Sequence, residues 1–271
     1  MVDGTSSELD VFPSCPNATP LPGNIYVGQA GTGSLTITNG GTARNGYAYI
    51  ASVVNSVKPA SNGVVTVSGS ETGWYLAGSD CTGAGIFIGC TATSTSGGTA
   101  LLTVANGGFI VINNSDVPGV KVGSSGTLAG NGPLTLIPPT FGNTPTVIVY
   151  GTLAPAGALE TDGADLHLTN GASTICHVTT QANDSVNILQ LNSRGGAAVL
   201  DGRLSVTMTG SNFTSGMRFH LLHADGGRGT TQFASESITY GPNTLCIVPT
   251  IQYDDQANNV DLYICPCGGC N

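Results

Sequence analysis

The chain has 271 residues, and its seven Lys and Arg against sixteen Asp and Glu give a formal net charge of −9. Charged residues make up 8% of the chain, about a third of the usual share, whereas the 40 glycines are about twice the usual frequency. The few positive charges are scattered and offer phosphates no basic stripe. No segment approaches the ~20 apolar residues of a membrane span. We therefore expect a glycine-rich β protein that neither binds nucleic acid nor inserts into a membrane.

In chain order, residues 1–24 are Pro-rich and aperiodic and predict an N-terminal extension, and residues 265–271 form a Cys-rich tail. Between them, short apolar segments alternate with Asn-Gly, Gly-Gly, Ser-Gly and Pro-Pro turns, without a sustained helical period. The chain is therefore predicted to be all-β and to form one elongated domain over residues 25–264. The predicted strands cover residues 35–38, 47–53, 63–67, 100–104, 109–112, 134–137, 146–150, 166–168, 186–191, 204–208, 217–222, 245–251 and 260–264.

One strand-turn-strand phrase occurs twice, as IYVG (25–28) followed by LTITNGG (35–41), and as IFIG (86–89) followed by LTVANGG (102–108). The second copy has six additional residues in the turn after Gly89. A solenoid tolerates such an insertion, because each coil pairs only with its neighbours. The repeat therefore predicts stacked parallel strands around one core. The residues expected to face that core are Val27, Leu35, Ile37, Ile88, Leu102 and Val104.

A β-sandwich is the structural alternative, since many short strands at regular spacing also suit that fold. Two features favour the solenoid over the sandwich. Whole strand-turn-strand phrases recur, and small residues between strands suit the tight corners at which successive coils stack.

Several motifs, in this order, resemble the repeats of bacterial autotransporter passenger domains. Beside the two phrases above, GVVTVSGSETGW (63–74) and GTLAPAG (151–157) are similar to passenger elements. FHLLHADGGRGTTQF (219–233) resembles the hairpin near a passenger's end, and IQYDD (251–255) with NNVDL (258–262) resembles the strand pair that closes it. The resemblance covers roughly residues 25 to 264.

This resemblance implies a right-handed parallel β-helix that is secreted to a cell surface, with residues 151–264 as a folding and capping part. Such a passenger is normally followed by a membrane β-barrel, which needs many ~10-residue alternating strands. The sequence ends at Asn271 without them. Passengers are also usually poor in cysteine, which this chain is not.

The even number of cysteines indicates structural disulfides in an extracellular protein. Cys81 and Cys90 flank residues 82–89 and could staple the inserted turn of the second repeat. The tail cysteines could instead offer three thiolates to a metal, although no fourth ligand lies nearby in sequence, or they could bond to another subunit. The disulfide candidates are Cys15, Cys81, Cys90, Cys176, Cys246, Cys265, Cys267 and Cys270.

Catalytic signatures are absent from the sequence. No GxSxG, HExxH or Gly-rich phosphate loop occurs, so we assign no catalytic, cofactor or metal residue. His220 and His223 are expected on opposite faces of a strand unless it bulges. The only candidate carboxylate pairs are Asp162/Asp165 and Asp254/Asp255, and both lie in predicted turns, where a solvated role is expected.

The sequence thus predicts a non-catalytic extracellular or cell-surface module, such as an adhesin stalk or a subunit of a filament or surface layer, without a cofactor. The alternative is a carbohydrate-binding or polysaccharide-degrading β-helix, which would need aromatic platforms. Aromatic residues make up only 6% of the chain, and we expect its single tryptophan, Trp74, to pack in the fold. Self-association is expected through the chain ends, and a surface receptor or glycan is a further candidate partner.

Overall fold

The structure is a computed structural model that describes residues 1–11, 23–52, 61–77, 83–113, 115–138, 143–190, 194–240, 247–266 and 268. These residues form strands and no helix. The first strands are β1 (Val2–Asp3), β2 (Glu8–Asp10), β3 (Ile25–Val27), β4 (Thr32–Thr38), β5 (Thr42–Asn45), β6 (Tyr47–Ile50), β7 (Asn62–Ser68), β8 (Gly73–Ala77), β9 (Ala84–Ile88), β10 (Thr99–Ala105), β11 (Phe109–Asn113), β12 (Ser115–Val122) and β13 (Gly126–Gly130). The others are β14 (Leu134–Ile137), β15 (Thr146–Val149), β16 (Thr152–Pro155), β17 (Ala158–Asp162), β18 (Asp165–Leu168), β19 (Ser173–Val178), β20 (Ser185–Leu189), β21 (Ala198–Val199), β22 (Arg203–Met208), β23 (Arg218–Ala224), β24 (Ser235–Tyr240), β25 (Ile247–Asp254) and β26 (Asn259–Pro266).

The strands form three long sheets that the chain visits in rotation. Sheet A has the order β1-β4-β7-β10-β13-β16-β19-β22-β24, and sheet C has the order β21-β18-β15-β12-β9-β6-β3. Sheet B runs β2-β5-β8-β11-β14-β17-β20-β23 and then adds β26 and β25. Up to β23, each strand pairs in parallel with the strand three places along, as in β4 with β7 and β5 with β8. The arrangement is that of a β-solenoid with three strands in each coil, and parallel pairing confirms the sequence prediction against the β-sandwich.

One apolar core runs along the inside of the coils. Alternation places every second side chain inward, and the six residues predicted to face the core are all buried, each 9% exposed or less. Ile37, Ile88, Leu102 and Val104 are completely buried. Close packing of such strands explains why the repeated phrase carries its apolar residues at alternate positions.

The Asn-Gly-Gly part of the repeated phrase forms the corner between sheets A and B. Asn39 and Asn106 have φ of 53° and 54°, and the glycine after each also has positive φ. Asn and Gly are the residue types that adopt this left-handed conformation most readily. A Cβ on the second glycine, Gly108, would lie 2.5 Å from the carbonyl oxygen of Val67. The motif therefore combines two left-handed residues with one position at which neighbouring coils nearly touch.

The N-terminal boundary differs from the predicted one. β1 pairs with β4 and β2 pairs with β5, so residues 2–3 and 8–10 belong to the first coil rather than to an extension. Both strands are too short for an alternation pattern to be recognised in the sequence. Residues 12–22 lie outside the described residues.

The six-residue insertion of the second repeat forms the loop between β9 and β10, and both strands keep their register. Lys121 on β12 lies across this loop and is 7% exposed. Its ammonium group donates hydrogen bonds of 3.1 Å to the carbonyl oxygens of Thr91 and Ala92 and lies 5.8 Å from the ring centre of Tyr150. A buried ammonium group therefore holds the loop that we expected a Cys81–Cys90 disulfide to staple.

Candidate functional site: a polar face on the C-terminal strands

The chemically richest surface of the described residues lies on the outer side of the antiparallel strands β23, β26 and β25. The register aligns Arg218 with Tyr263, His220 with Asp261, and His223 with Asn259. β25 adds Gln252 beside Asp261 and Asp254 beside Asn259. We call this surface the C-terminal polar face; it consists of Arg218, His220, His223, Gln252, Asp254, Asn259, Asp261 and Tyr263. It is the only part of sheet B in which the described strands pair antiparallel.

A bulge in β23 puts His220 and His223 on the same side. The pairing of β23 with β26 shifts between His220 and Leu222, and Leu221 and Leu222 are both buried. An extra residue in one strand reverses the alternation that follows it. Both imidazole rings consequently reach Asn259: His223 Nδ1 lies 2.7 Å from its Oδ1, and His220 Nδ1 lies 3.4 Å from its Nδ2. Opposite faces were expected for an unbulged strand, and the bulge removes that separation.

Asp261 is the buried centre of the polar face. Its side chain is 2% exposed and carries a carboxylate that accepts hydrogen bonds from Arg218 Nε (2.8 Å) and Nη2 (2.5 Å). The other carboxylate oxygen lies 2.6 Å from His220 Nδ1. Hydrogen bonds to Asp261, followed by bonds to Asp254, raise the pKa of Arg218 further above its usual value. The carboxylate is thus paired on both oxygens, as a buried charge requires.

Arg218 and Asp261 were not predicted as site residues from the sequence. A signal was present, because Asp261 interrupts the apolar run from Val260 to Ile264, and a charge inside such a run is buried only when it is paired. Its partners are about 40 residues away in the chain, on another strand. Strand register decides that contact, and the sequence alone does not give the register.

His223 contacts an oxygen with each of its ring nitrogens. Nδ1 faces Asn259 Oδ1, and Nε2 lies 3.0 Å from Asp225 Oδ1. The hydrogen bond to Asn259 and then the bond and charge of Asp225 raise the pKa of His223 above its ordinary value, against a smaller opposing effect of burial. A backbone hydrogen bond from Gln190, together with His223, lowers the pKa of Asp225. Only the protonated ring, which has an N–H on both nitrogens, can donate a hydrogen bond to both oxygens.

The adjacent carboxylates Asp254 and Asp255 form ion pairs with two different arginines. Asp254 forms an ion pair of 3.3 Å with Arg218 on the polar face. Asp255 pairs with Arg228, whose side chain is completely buried. The Arg228 guanidinium also donates to the carbonyl oxygen of Thr231 and lies 4.9 Å from the ring centre of Tyr253. The pair therefore does not form a shared acid–base site.

Tyr253 completes the layer beneath the polar face. Its hydroxyl donates to Glu236 on β24 and accepts a hydrogen bond of 3.1 Å from the backbone N–H of Phe233. Burial, and then the bond to Glu236, raise the pKa of Tyr253 above its usual range. The tyrosine thereby joins the last strands of sheets A and B.

An open groove of about 320 Å³ lies against the polar face, between Arg218, Gln252, Gln256 and Tyr263. The groups along it are guanidinium, amide, carboxylate and phenol, which can exchange hydrogen bonds with a polar ligand. No described group of three or more His, Cys, Asp or Glu has the arrangement of a metal site. The groove offers several groups for hydrogen bonding.

The candidate carboxylate pair Asp162/Asp165, and a further His–Asp contact, are separate from the polar face. Asp162 accepts a hydrogen bond from Thr135, and Asp165 accepts one from the backbone N–H of Ala197. A second open space of about 390 Å³ lies beside His177, whose Nδ1 is 2.9 Å from Asp184. The Asp184 carboxylate also accepts backbone bonds of 2.7 Å from Gly157 and from His177 itself. These carboxylates hold turns and strands in place.

The described cysteines fit the disulfide prediction only in part. Cys90 and Cys176 are buried free thiols, and burial raises their pKa to about 11 and about 12. The Cys90 thiol donates to the carbonyl oxygen of Lys121. Cys265 is buried and disulfide-bonded, and its partner lies outside the described residues. The other candidates, Cys15, Cys81, Cys246, Cys267 and Cys270, also lie outside the described residues.

Aromatic residues are used for packing in the described coils. Trp74 is completely buried, and its indole N–H donates a 2.6 Å hydrogen bond to the buried Asn45. On the outer side of sheet C, Tyr26, Tyr49 and Phe87 stack with ring centres 5.0 and 5.1 Å apart. Stacked rings cover each other's faces, so Tyr49 is covered on both sides, whereas Tyr26 at the end of the row is 47% exposed.

No family model, curated protein or solved structure matches this chain. Among the described residues, no helix has the length and hydrophobicity needed to cross a membrane.

Proposed function

We propose that this chain is a non-catalytic structural module outside the cell or on a cell surface, where it acts as a stalk or as a subunit of a larger surface assembly. In this proposal the solenoid is a right-handed parallel β-helix that resembles an autotransporter passenger domain. The C-terminal antiparallel strands act as its capping part.

The observation that carries the proposal is the pairing of the charged groups on the C-terminal polar face. Asp261 is bound by Arg218 and His220, and both nitrogens of His223 have partners. A general base or nucleophile must keep a lone pair directed at substrate. Groups that bind one another in this way favour a role in holding strands together.

The outer side of sheet A supports the same proposal. Thr36, Thr66 and Thr103 align across β4, β7 and β10, and Ala129 and Ala154 continue the row on the next two strands. This row of side chains carries no charge, and its regular repeat provides length. A stalk or assembly subunit needs both properties.

Incubation with pectins, alginates and other polysaccharides tests the absence of catalysis. We expect neither new reducing ends nor unsaturated products. In electron microscopy of the purified material, filaments favour the structural role, whereas isolated rods do not separate a stalk from an enzyme. Robust turnover that is lost in Asp254→Asn or Asp165→Asn would contradict the proposal.

A glycan-binding module is the second candidate, and the groove beside Arg218 and Gln252 is the observation that favours it. Planar polar side chains next to Tyr263 are suited to hydrogen-bonding and stacking with a sugar. In this case, calorimetry with soluble oligosaccharides should detect binding that Gln252→Ala weakens. The same substitution at Gln190, outside the groove, is the matched control.

A further inference from the structure

The edge strands of the solenoid are protected to very different degrees. An exposed sheet edge recruits other strands unless it is short, charged or interrupted by proline. Among the described residues, the edges formed by β1, β2, β3 and β21 are two or three residues long. β25 has eight residues but carries Pro249 within it. β24 is the remaining edge. It has six residues and no proline, and its one charged residue is Glu236, whose carboxylate accepts a hydrogen bond from Tyr253.

β24 presents regular hydrogen-bonding groups on its open side. Ser235 donates its N–H to Gly202 beside β22, so the odd-numbered residues of β24 bond towards β22. In a parallel pair the alternate residues point their N–H and C=O groups the other way. Glu236, Ile238 and Tyr240 therefore direct one N–H and one C=O each towards the open edge. Tyr240 is 45% exposed.

We propose that β24 pairs antiparallel with β24 of a second copy of this chain, around a two-fold axis at Ile238. In this register Ile238 faces its own symmetry mate, and Glu236 faces Tyr240 of the second copy. Ser237 then faces Thr239. The residues that direct their backbone groups to the open edge are those that face one another, as antiparallel pairing requires.

The side-chain pairs of this register are complementary. The Tyr240 hydroxyl can donate to Glu236, the hydroxyls of Ser237 and Thr239 can bond, and two isoleucines meet on the axis, all of which are stabilising cross-strand pairs. β24 is thus self-complementary in backbone and side chains. These pairs identify a second copy as the occupant of the edge.

Head-to-tail stacking of whole coils does not match the two ends of the solenoid. The first coil ends flush, because β1, β2 and β3 are all edge strands. At the other end, sheet B continues through β26 and β25, sheet A ends one strand after β22, and sheet C ends at β21. The first coil of one copy therefore cannot pair with all three sheets at the last coil of another copy. A closed two-fold dimer uses only sheet A and avoids the mismatch.

Sedimentation velocity over a concentration series tests this pairing with two substitutions at one position. Tyr240→Glu places two carboxylates opposite each other and should weaken dimerisation about tenfold or more, whereas Tyr240→Lys places an ammonium opposite Glu236 and should preserve or strengthen it. Val248→Glu on the neighbouring strand β25 is the control, because Val248 is 42% exposed and lies outside the pairing register.

Hydrogen exchange gives a second, local measurement. The amides of Glu236, Ile238 and Tyr240 should become protected as concentration rises, while those of Ser235 and Ser237 are protected at all concentrations. A wild type that stays monomeric at several hundred micromolar overturns the inference. Equal dimerisation by the Glu and Lys variants, or equal loss in both, also overturns it. The pairing of β24 is independent of the proposed function, because the polysaccharide experiments do not involve this edge.

Discussion

The parallel coils and the C-terminal antiparallel strands differ in how their buried polar groups are hydrogen-bonded. In the coils, backbone groups pair along the sheets and outward side chains are mostly short and uncharged. The buried Asn45 accepts a hydrogen bond from Trp74 and donates one to the carbonyl oxygen of Tyr47.

In the C-terminal part, Asp261 on β26 pairs with Arg218, and Arg228 between β23 and β24 pairs with Asp255. The coils depend mainly on apolar packing, and their buried charge Lys121 binds backbone carbonyl groups, whereas the buried charges of the C-terminal part pair with opposite charges.

The difference follows from what each region must cover. A coil within the stack has a neighbour on both sides, so its core and its backbone are satisfied by repetition. Among the described strands no further coil follows the last one, and β24 and β25 are the edge strands there. Arg228 lies completely buried in this region, where Asp255 and the carbonyl oxygen of Thr231 bind its guanidinium group.

The largest effect is expected for a core residue of the coils. Trp74→Ala should lower the free energy of unfolding by about 3–5 kcal/mol, because it removes a completely buried aromatic side chain and leaves Asn45 without its indole donor. Chemical denaturation followed by circular dichroism measures this loss. Tyr26→Ala, at a 47% exposed ring on the outer side of sheet C, is the control and should cost much less.

A smaller effect is expected at the C-terminal polar face. Arg218→Ala should lower the free energy of unfolding by about 1–3 kcal/mol, since Asp261 would keep a buried carboxylate without its main partner. Asp254→Asn removes the charge that also pairs with Arg218 but keeps an oxygen for the backbone N–H groups of Gln256 and Ala257, and it should have little effect, since solvent screens that pair. Equal losses in the two variants would contradict the central role of Asp261.

Much of the fold was predictable from the sequence because the same pattern of apolar residues and turns occurs in more than one coil. The alternating apolar residues of LTITNGG and LTVANGG predicted which side chains face the core. The six additional residues after Gly89 showed which corner accepts an insertion. Strands β1 and β2 were missed since two or three residues contain no period. β8 is preceded by Glu71, which takes a positive φ of 61° two residues before the aligned strand start, where the repeat has a glycine, so that corner is harder to recognise.

The site was less predictable, because it depends on contacts between strands. The order of motifs indicated a closing hairpin near residues 219–262, but the partners of Asp261 follow from the register of β23 against β26. The bulge at Leu221 and Leu222 also has no signal of its own, since two adjacent leucines fit a regular strand equally well. The free thiols of Cys90 and Cys176 show the same limit, because composition gives the number of cysteines and not their distances.

The smallest effect concerns pH and His223. Its folded-state pKa is raised, first by the hydrogen bond to Asn259, so the folded protein binds the proton more tightly than the unfolded chain does. The stability that the protonated ring contributes is fully present below the unfolded pKa of about 6.5 and is lost as pH rises through the folded value. Asp225, whose pKa is lowered, keeps its charge throughout that window.

We therefore expect the melting temperature of the wild type to fall between pH 6 and pH 8.5 by more than that of His223→Gln, with a small difference because the imidazole is 37% exposed. His167→Gln, on the outer side of β18, is the matched control and should follow the wild type. A parallel pH dependence in the wild type and His223→Gln would mean that the ring contributes equally in both protonation states. In that case the two oxygen contacts of His223 would not couple the C-terminal strands to pH, and the contrast with the coils would rest on Asp261 and Arg228 alone.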